Sequence, residues 1–316
     1  MIPADNRLKI LIIGKSGQVS WDLRRSMALL GTVECAGRPE VDLVDAISVR
    51  DAIRAAAPDV LINAAAYTAV DQAESEPELA MKINAEAPGI MAEEMKRVGG
   101  LMVHYSTDFV YDGSGTSPWR ESDAPGPLNV YGASKLAGDN AVISAAAAHL
   151  ILRTSWVYAA RGRNFLRTVL RLAEAGKPLR IVDDQTGSPT WSGDIALATT
   201  LIIEKLSRGA AGAPRRLSSA AERSGIYHMS SAGHVTWYGF AAAILEESRC
   251  LGLNHGANPQ LVPITTPDYP TPARRPMNSR LSNEKLFATF GIALPQWRES
   301  LRRVMEELAG APAVTR

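Results

Sequence analysis

Cysteine is almost absent. Cys35 and Cys250 are the two in 316 residues, too few and too far apart for a disulfide framework or a zinc cluster, and both read as reduced thiols of a cytosolic protein. An excess of one charge is missing as well: 34 Lys and Arg face 33 Asp and Glu, for a net charge of +1. That leaves no field for nucleic acid or an anionic membrane. No apolar run approaches the roughly 20 residues of a membrane span. The longest candidate, AVISAAAAHLILR, is broken by Ser144 and His149. The opening MIPADNRLK does not have the charged-then-apolar layout of a signal peptide. A cytoplasmic protein is expected, with no nucleic-acid or membrane partner. With 46% apolar residues the chain can bury the core of one large or two ordinary domains. It shows no internal repeat.

What is present is an alternation of strand and helix signals. Leu8 to Ile13 is an apolar run of buried-strand type, followed at once by GKSGQV and an amphipathic segment containing Trp21, Leu23 and Met27. Strand, glycine turn and helix in that order suit a pyrophosphate: Gly14 and Gly17 let the backbone turn tightly and come close, and the helix N-terminus favours the negative charge. The spacing is G-x-x-G-x-x-S, which departs from the usual dinucleotide fingerprint. A strand at 32–36 ends in Gly37-Arg38. Arg38 stands where a cation would meet a 2′-phosphate, which favours NADPH over NADH. Asp42 and Leu43 follow, beside the adenine if the fold is dinucleotide-binding. PDVLINAAA is a strand ending in small side chains that leave room for a flat ligand. A long helix is expected beyond it, through Leu79, Ile83, Ile90 and Met95, with Asp71, Glu74, Glu76 and Glu78 facing water near its start.

The stretch from His104 to Lys135 carries the chemistry. A short strand delivers Ser106, Thr107 and Asp108 to its carboxyl end, where ligands sit in open α/β sheets. A Gly- and Pro-rich excursion follows. Tyr131 and Lys135 then fall four apart at the start of a helix, on one face. A lysine beside a tyrosine stabilises phenolate and is expected to lower the phenol's pKa from about 10, readying it for proton transfer to a carbonyl oxygen.

After a helix to about Ala148 comes another strand, ending in Ser155 and Trp156. The βαβαβαβαβ pattern predicts an α/β fold, a doubly wound parallel Rossmann sheet with a smaller α/β substrate-binding domain. The expected division is 1–157 for the dinucleotide-binding domain, with a return near 188–230, and 158–316 mainly for the substrate. A helix is expected from Asn164 to Ala175, strands at 179–182 and 227–231, and helices at 195–206 and 237–250. Residues 207–225 read as an exposed, mobile insertion. The loop PITTPDYPTPARRPMNSRLS, with Arg274, Arg275 and Arg280, suits clamping a diphosphate in guanidinium fork geometry.

Taken together, KILIIGKSGQV, PDVLINAAAYTAVDQAESEPELAMKINA, VHYSTDFVYDG, PLNVYGASKLAGD, LRTSWVY, VDDQTGSPT and YPTPARRPMNSRL resemble the extended short-chain dehydrogenase/reductases. Within that family they are similar to the branch that reduces a dTDP-linked keto sugar. The resemblance implies an NAD(P)H-dependent oxidoreductase that reduces the 4-keto group of dTDP-4-dehydro-6-deoxy-L-mannose to dTDP-L-rhamnose. By position it implies a catalytic triad of Thr107, Tyr131 and Lys135, and a pyrophosphate turn of Gly14, Gly17, Gln18 and Val19. The wall beside the cofactor would be Ala64, Ala65, Ala66 and Thr68. Substrate-side residues would be Thr107, Asp108, Trp156 and Asn164, with Arg274, Arg275 and Asn278 as the nucleotide clamp. The expected cofactor is NADPH, with NADH as the alternative, and the expected partners are the dTDP-sugar substrate and a second copy in a homodimer.

Three departures stand out. Ser20 replaces a glycine usual in the family, and Phe109 stands where tyrosine is common. Some members hold magnesium through glutamates at a dimer contact; here Asp22 is shorter than glutamate and Gly193 or Asp194 falls near another ligand position, so no metal is expected. Two other functions fit the same pattern: a sugar-nucleotide epimerase or dehydratase, and a non-catalytic dinucleotide-binding regulatory subunit resembling the β subunit of methionine adenosyltransferase.

Overall fold

The computed structural model describes residues 7–176, 178–207, 217, 219–253 and 259–310. The apolar run Leu8–Ile13 forms β1, followed by Gln18–Ser26 (α1), Gly31–Ala36 (β2), Ala46–Ala56 (α2) and Val60–Asn63 (β3). Three helical pieces come next, Val70–Ala73 (α3), Pro77–Met81 (α4) and Ala87–Val98 (α5), then Leu101–Thr107 (β4), Val130–Ser144 (α6) and Ala148–Thr154 (β5). Beyond β5 the strands are short: Val157–Tyr158 (β6), Leu179–Val182 (β7), Thr186–Gly187 (β8), Thr190–Trp191 (β9), Gly225–His228 (β10), Val235–Thr236 (β11) and Leu261–Ile264 (β12). Between and after them lie Phe165–Glu174 (α7), Ser192–Ser207 (α8), Trp237–Cys250 (α9), Glu284–Phe290 (α10) and Trp297–Gly310 (α11).

Six strands form one parallel sheet in the order β10-β5-β4-β3-β1-β2. Alternation along each strand sends side chains to opposite faces, and both faces are covered. Leu8, Ile10 and Ile12 of β1 pack with Ile62, Val103 and Leu152 against Leu23 of α1, Met27 just after it, and Ile202 and Ile203 of α8. Leu11 and Ile13 pack with Leu61, Met102 and Ile151 against Val49 and Ile53 of α2, Met91 and Met95 of α5 and Val142 of α6. This is the doubly wound sheet expected from the strand and helix alternation. A separate core of Tyr158, Leu166, Val169, Phe240, Ile244, Leu301 and Val304 joins α7, α9 and α11 into a smaller lobe carrying the parallel pair β7 and β12.

The long helix expected through Leu79 and Met95 runs without interruption from Pro77 to Val98, but it is not α-helical throughout. Lys82–Glu86 forms a π turn between α4 and α5, and the extra residue in that turn places Asn84 where its side chain is buried against α6. The strand expected to end in Ser155 and Trp156 stops at Thr154, since Trp156 adopts a left-handed φ of 47°. Most of the insertion expected at 207–225 lies outside the described residues; Leu217 packs on the first core cluster and Ala220 is buried.

Helix α6 approaches the π turn so closely that a Cβ built on Gly138 would lie 2.0 Å from the Asn84 carbonyl oxygen. Backbone cannot yield as a side-chain tip can. Gly138→Ala is expected to cost about 1–3 kcal/mol of stability, the range for overpacking, and a urea midpoint equal to wild type would contradict the packing described.

Candidate active site

The chain order reverses between β1 and β3, and at their carboxyl ends the two backbones nearly touch. Gly14 has a φ of 117°, and a Cβ on it would come within 3.0 Å of the Ala64 carbonyl, so only glycine fits. The turn is fixed by Gly14 N–H donating to Ala36 O at 2.8 Å and Gly17 N–H to Gly14 O at 3.0 Å. Gly17 caps α1 without a side-chain hydrogen bond, and the first turn holds no acid. Its amide donors are therefore open to an anion. Ala64, Ala65 and Ala66 are half-buried beside the turn, Thr68 is exposed, and Val19 packs on the core. Arg38 and Asp42 are exposed beyond β2, and Leu43 is half-buried. Asp42 accepts Val44 N–H at 3.1 Å, while the cap of α2 is Asp45. Ser20 is buried with its hydroxyl unpartnered, as are the hydroxyls of Ser106, Thr154 and Ser155 at the strand ends. A glycine-only cradle, open amides and unpartnered hydroxyls together fit a dinucleotide.

Tyr131 and Lys135 lie on α6 as expected, and the helix start is held from two sides. Asn129 Oδ1 accepts Gly132 N–H at 2.8 Å as the N-cap, and Glu74 Oε1 accepts Val130 N–H at 2.8 Å. Phe109 meets the Tyr131 ring edge-on with centroids 5.6 Å apart. Thr107 is buried at the end of β4; its hydroxyl donates to Asp108 Oδ1 at 3.0 Å and accepts Phe109 N–H at 3.2 Å. Lys135 is buried below them and donates to Tyr105 O at 2.7 Å, with His104 Nε2 at 3.3 Å. The electrostatics correct one expectation. The Tyr131 phenol is pushed up to about 12, mainly by burial; Thr107 eases the rise, and the charges of Asp108 and Asp139 add to it. Desolvation outweighs any pull from Lys135. Burial also draws Lys135 down to about 8, opposed by the charge of Asp139.

On the substrate side the residues separate into two groups. Arg274 is exposed and Arg275 half-buried in a cleft of about 400 Å³ with Leu128, Tyr269 and Met277. Arg275 lies 5.9 Å over the Phe109 ring, which links the cleft to Tyr131, and pairs with Asp71 at 2.7 Å. Trp156 stacks on Trp237 at 3.5 Å and 8°. Asn164 and Asn278, by contrast, are engaged by the protein itself. Asn164 caps α7 through Arg167 N–H at 3.0 Å and donates to Gln18 Oε1 at 2.7 Å, tying the smaller lobe to the glycine turn. Asn278 donates to Ser117 O at 2.8 Å and accepts from Arg280 Nε at 2.9 Å. Their amides hold loops rather than project into the cleft. A larger groove of about 710 Å³ opens at the amino ends of β5 and β10, lined by Arg120, His149 and Lys285, and contains none of the expected site residues.

Several supporting residues escaped the sequence reading. Asn129 follows the N-cap pattern immediately before an apolar helix and was there to be found. The acids read as solvent-facing have specific partners: Asp71 accepts from Ala273 N–H at 3.2 Å and from Arg275, Glu74 holds Val130, and Glu76 accepts from the Tyr67 hydroxyl at 2.6 Å. No short-range signal marks contacts across about two hundred residues. Asp22 accepts from Ser192 at 2.6 Å, and Asp194 accepts from Ser300.

A family model described as RmlD substrate binding domain matches residues 8–309. A dTDP-4-dehydrorhamnose reductase of Burkholderia thailandensis is 49% identical over 302 residues, covering 95% of this chain and 99% of that one. The protein of that name from Escherichia coli K12 is 43% identical over 97% of this chain and its own full length, 100%. The crystal structure of a dTDP-4-dehydrorhamnose reductase from Bacillus anthracis in complex with NADP superimposes with a TM-score of 0.84 at 30% identity, covering 95% of this chain and 99% of that chain.

Asp108 gives the site a measurable pH signature. Burial lifts its carboxyl from the ordinary 3.8 to about 6, against hydrogen bonds from Ser279 and Thr107 that favour the charge. Because the folded value is the higher one, stability is greatest below the unfolded pKa and is lost as pH rises through the folded one. That rise corresponds to about 3 kcal/mol. Asp108→Asn is therefore expected to be more stable than wild type near pH 7, by up to that amount, and to match it near pH 3.5. Denaturation at the two pH values checks this, and a difference independent of pH would contradict it.

Proposed function

Because the chain belongs to the RmlD substrate-binding-domain family, we propose that it is a dTDP-4-dehydrorhamnose reductase. It reduces the 4-keto group of dTDP-4-dehydro-6-deoxy-L-mannose to dTDP-L-rhamnose with NADPH. The observation that carries this reading is the convergence of Tyr131, Thr107 and Lys135 beside a cleft that tolerates only glycine at position 14. In the proposed division of labour, residues 1–157, with the return near 188–230, bind the dinucleotide, and residues 158–316 mainly bind the sugar nucleotide.

When bound, the cofactor supplies the hydride to C4 of the sugar. Tyr131 gives its phenolic proton to the developing alkoxide. Its high pKa does not oppose this, since an alkoxide is more basic than phenolate, and the phenol stays protonated across the neutral range. Thr107 holds the same oxygen by a hydrogen bond that strengthens as negative charge develops there. Lys135 contributes a buried positive charge that stabilises the phenolate left behind and holds ribose hydroxyls. Gly14, Gly17, Gln18 and Val19 receive the pyrophosphate at the start of α1, Arg38 meets the 2′-phosphate, and Ala64 to Ala66 shape the wall. Arg274 and Arg275 bind the diphosphate of the substrate, where a guanidinium fork matches phosphate oxygens. Phe109 packs the Tyr131 ring and excludes water from it.

Loss of absorbance by NADPH and by NADH in the presence of the keto sugar tests function and cofactor choice together. Net consumption of NADPH separates reduction from epimerisation, and no oxidation of either would favour a non-catalytic subunit. Tyr131→Phe is expected to bind NADPH nearly as wild type and to lose on the order of 10²-fold or more in turnover, the scale of general acid help. Full activity in that variant would remove Tyr131 from the acid role.

A further inference from the structure

Below Lys135 lies a set of buried charged groups to which the reduction as described assigns no role. Asp139 stands one helical turn beyond Lys135 on α6, so Tyr131, Lys135 and Asp139 form one stripe of the helix. Asp139 is 0% exposed, and its two oxygens have different fates. Oδ2 accepts from Arg153 Nε at 3.0 Å and pairs with Nη2 of the same guanidinium at 3.0 Å. Oδ1 has no hydrogen-bond partner and lies 3.8 Å from His104 Nε2. His104 is also 0% exposed, and burial together with the charge of Lys135 holds its pKa well below the usual histidine range. Its tautomer follows from Asn63, whose Oδ1 accepts Ala65 N–H at 3.2 Å and whose Nδ2 therefore faces His104 Nδ1 at 3.1 Å. Nδ1 is then the acceptor and the ring proton sits on Nε2.

The consequence is electrostatic. Two donors, the Nε2–H of His104 and the ammonium of Lys135, meet at 3.3 Å in a dry interior. Besides Tyr105 O, which Lys135 already uses, the acceptor beyond them is Asp139 Oδ1, 3.8 Å from Nε2. One carboxylate is thus in contact with Arg153 and acts across His104 on Lys135. An unpaired buried carboxylate oxygen is costly unless nearby positive charge offsets it.

We propose that Asp139 is a positioning residue for the reduction: anchored to β5 by Arg153 through Oδ2, it presents Oδ1 as the counter-charge that keeps the Lys135 ammonium protonated and seated beneath Tyr131. The groups facing Lys135 are Asn63 through His104 from β3, His104, Tyr105 O and Ser106 from β4, Tyr131 and Asp139 from α6, and Arg153 from β5 through Asp139. Among them Asp139 supplies the negative charge. His104 is the neutral spacer that fixes how far the two charges stand apart. The inference rests on the reductase reading for the role of Lys135, but the charge arrangement itself can be read without turnover.

The direct measurement is titration of the Lys135 side chain by NMR in protein carrying ¹³C-labelled lysine, with the signal assigned by Lys135→Met. In Asp139→Asn the midpoint is expected to fall by about one pH unit or more, the scale for losing a close opposite charge. In Arg153→Met, where Asp139 answers to Lys135 alone, it is expected to rise. Asp139→Glu should keep the wild-type midpoint within a fraction of a unit. Because Asp139→Asn leaves Arg153 buried without its carboxylate and could fail to fold, the double variant Asp139→Asn with Arg153→Met removes both charges and should show a smaller fall in the same direction, the loss of the Arg153 charge offsetting part of it. Activity gives the second readout: the basic limb of the pH profile of kcat/KM for NADPH oxidation should move with the NMR midpoint in each variant. A purely structural role would lower thermal stability and leave both the midpoint and the limb in place, and that result would overturn the proposal. If wild type consumes no NADPH while the NMR midpoints shift as stated, the reductase reading fails and the charge assignment stands.

Discussion

The pair between Arg153 and Asp139 is the contact on which the geometry of the site turns. Arg153 stands near the carboxyl end of β5 and Asp139 in the middle of α6, and both are buried. A buried ion pair is weak evidence for net stability, since desolvation cancels much of the attraction. Its effect is on position. A guanidinium joined to a buried carboxylate by a hydrogen bond and a close ion-pair contact allows α6 little rotation or sliding against the sheet, so Tyr131 and Lys135 keep their height above β4. Arg153 Nη1 also donates to the Tyr111 hydroxyl at 2.8 Å, and Tyr111 meets His228 Nε2 at 2.8 Å. The same guanidinium therefore ties the excursion between β4 and α6 to the edge strand β10.

A second set of contacts couples the two lobes through the segment after β3. Asp71 holds the backbone of Ala273 and the guanidinium of Arg275, and Glu74 holds the first turn of α6. Asn129 acts in both directions, capping α6 with its oxygen and donating to Arg274 O at 2.7 Å with its nitrogen. The arginine loop is thus suspended from the groups that orient the Tyr131 helix. Its arginines differ for that reason: Arg275 already has a carboxylate partner, whereas Arg274 is exposed in the cleft. In the proposed clamp a diphosphate would meet one exposed cation, Arg274, and one, Arg275, whose ion pair with Asp71 it would have to compete with.

Much of the sheet was legible because its signals are local. Leu8 to Ile13 is apolar apart from the exposed Lys9 since the strand is otherwise buried, and Gly14 after it answers a steric demand at Ala64 that any side chain would violate. Tyr131 and Lys135 were legible for the same reason, as helical spacing alone puts them on one face. The rest depends on distance. Nothing near Asp71 announces Arg275, and nothing near Asp139 announces Arg153. Asn164 and Asn278 show the converse: a motif locates them at the site, but only three-dimensional neighbours reveal that their amides are already engaged. The π turn at Lys82–Glu86 was hidden because its sequence is good helix, and it exists to bring Asn84 against Tyr67 and Ser134.

The electrostatic surprise, a phenol pushed up rather than down, follows mainly from its burial, and the charges of Asp108 and Asp139 add to the rise. Lys135 donates to Tyr105 O and lies beside His104 Nε2, and the charge of Asp139 favours its ammonium form. For a residue that must lose a proton in its resting state this would be a defect. For a reduction it is not, because the acid must hold its proton until the alkoxide forms. In the proposed mechanism the lysine would act only afterwards, when Tyr131 has become phenolate and a second negative charge stands above Asp139 on the same helix face. At that moment Lys135 lies between two anions and Arg153 secures the lower one. A stripe of acid, cation and anion anchored to a buried arginine is then suited to a proton that travels outward, from the phenol to the sugar oxygen.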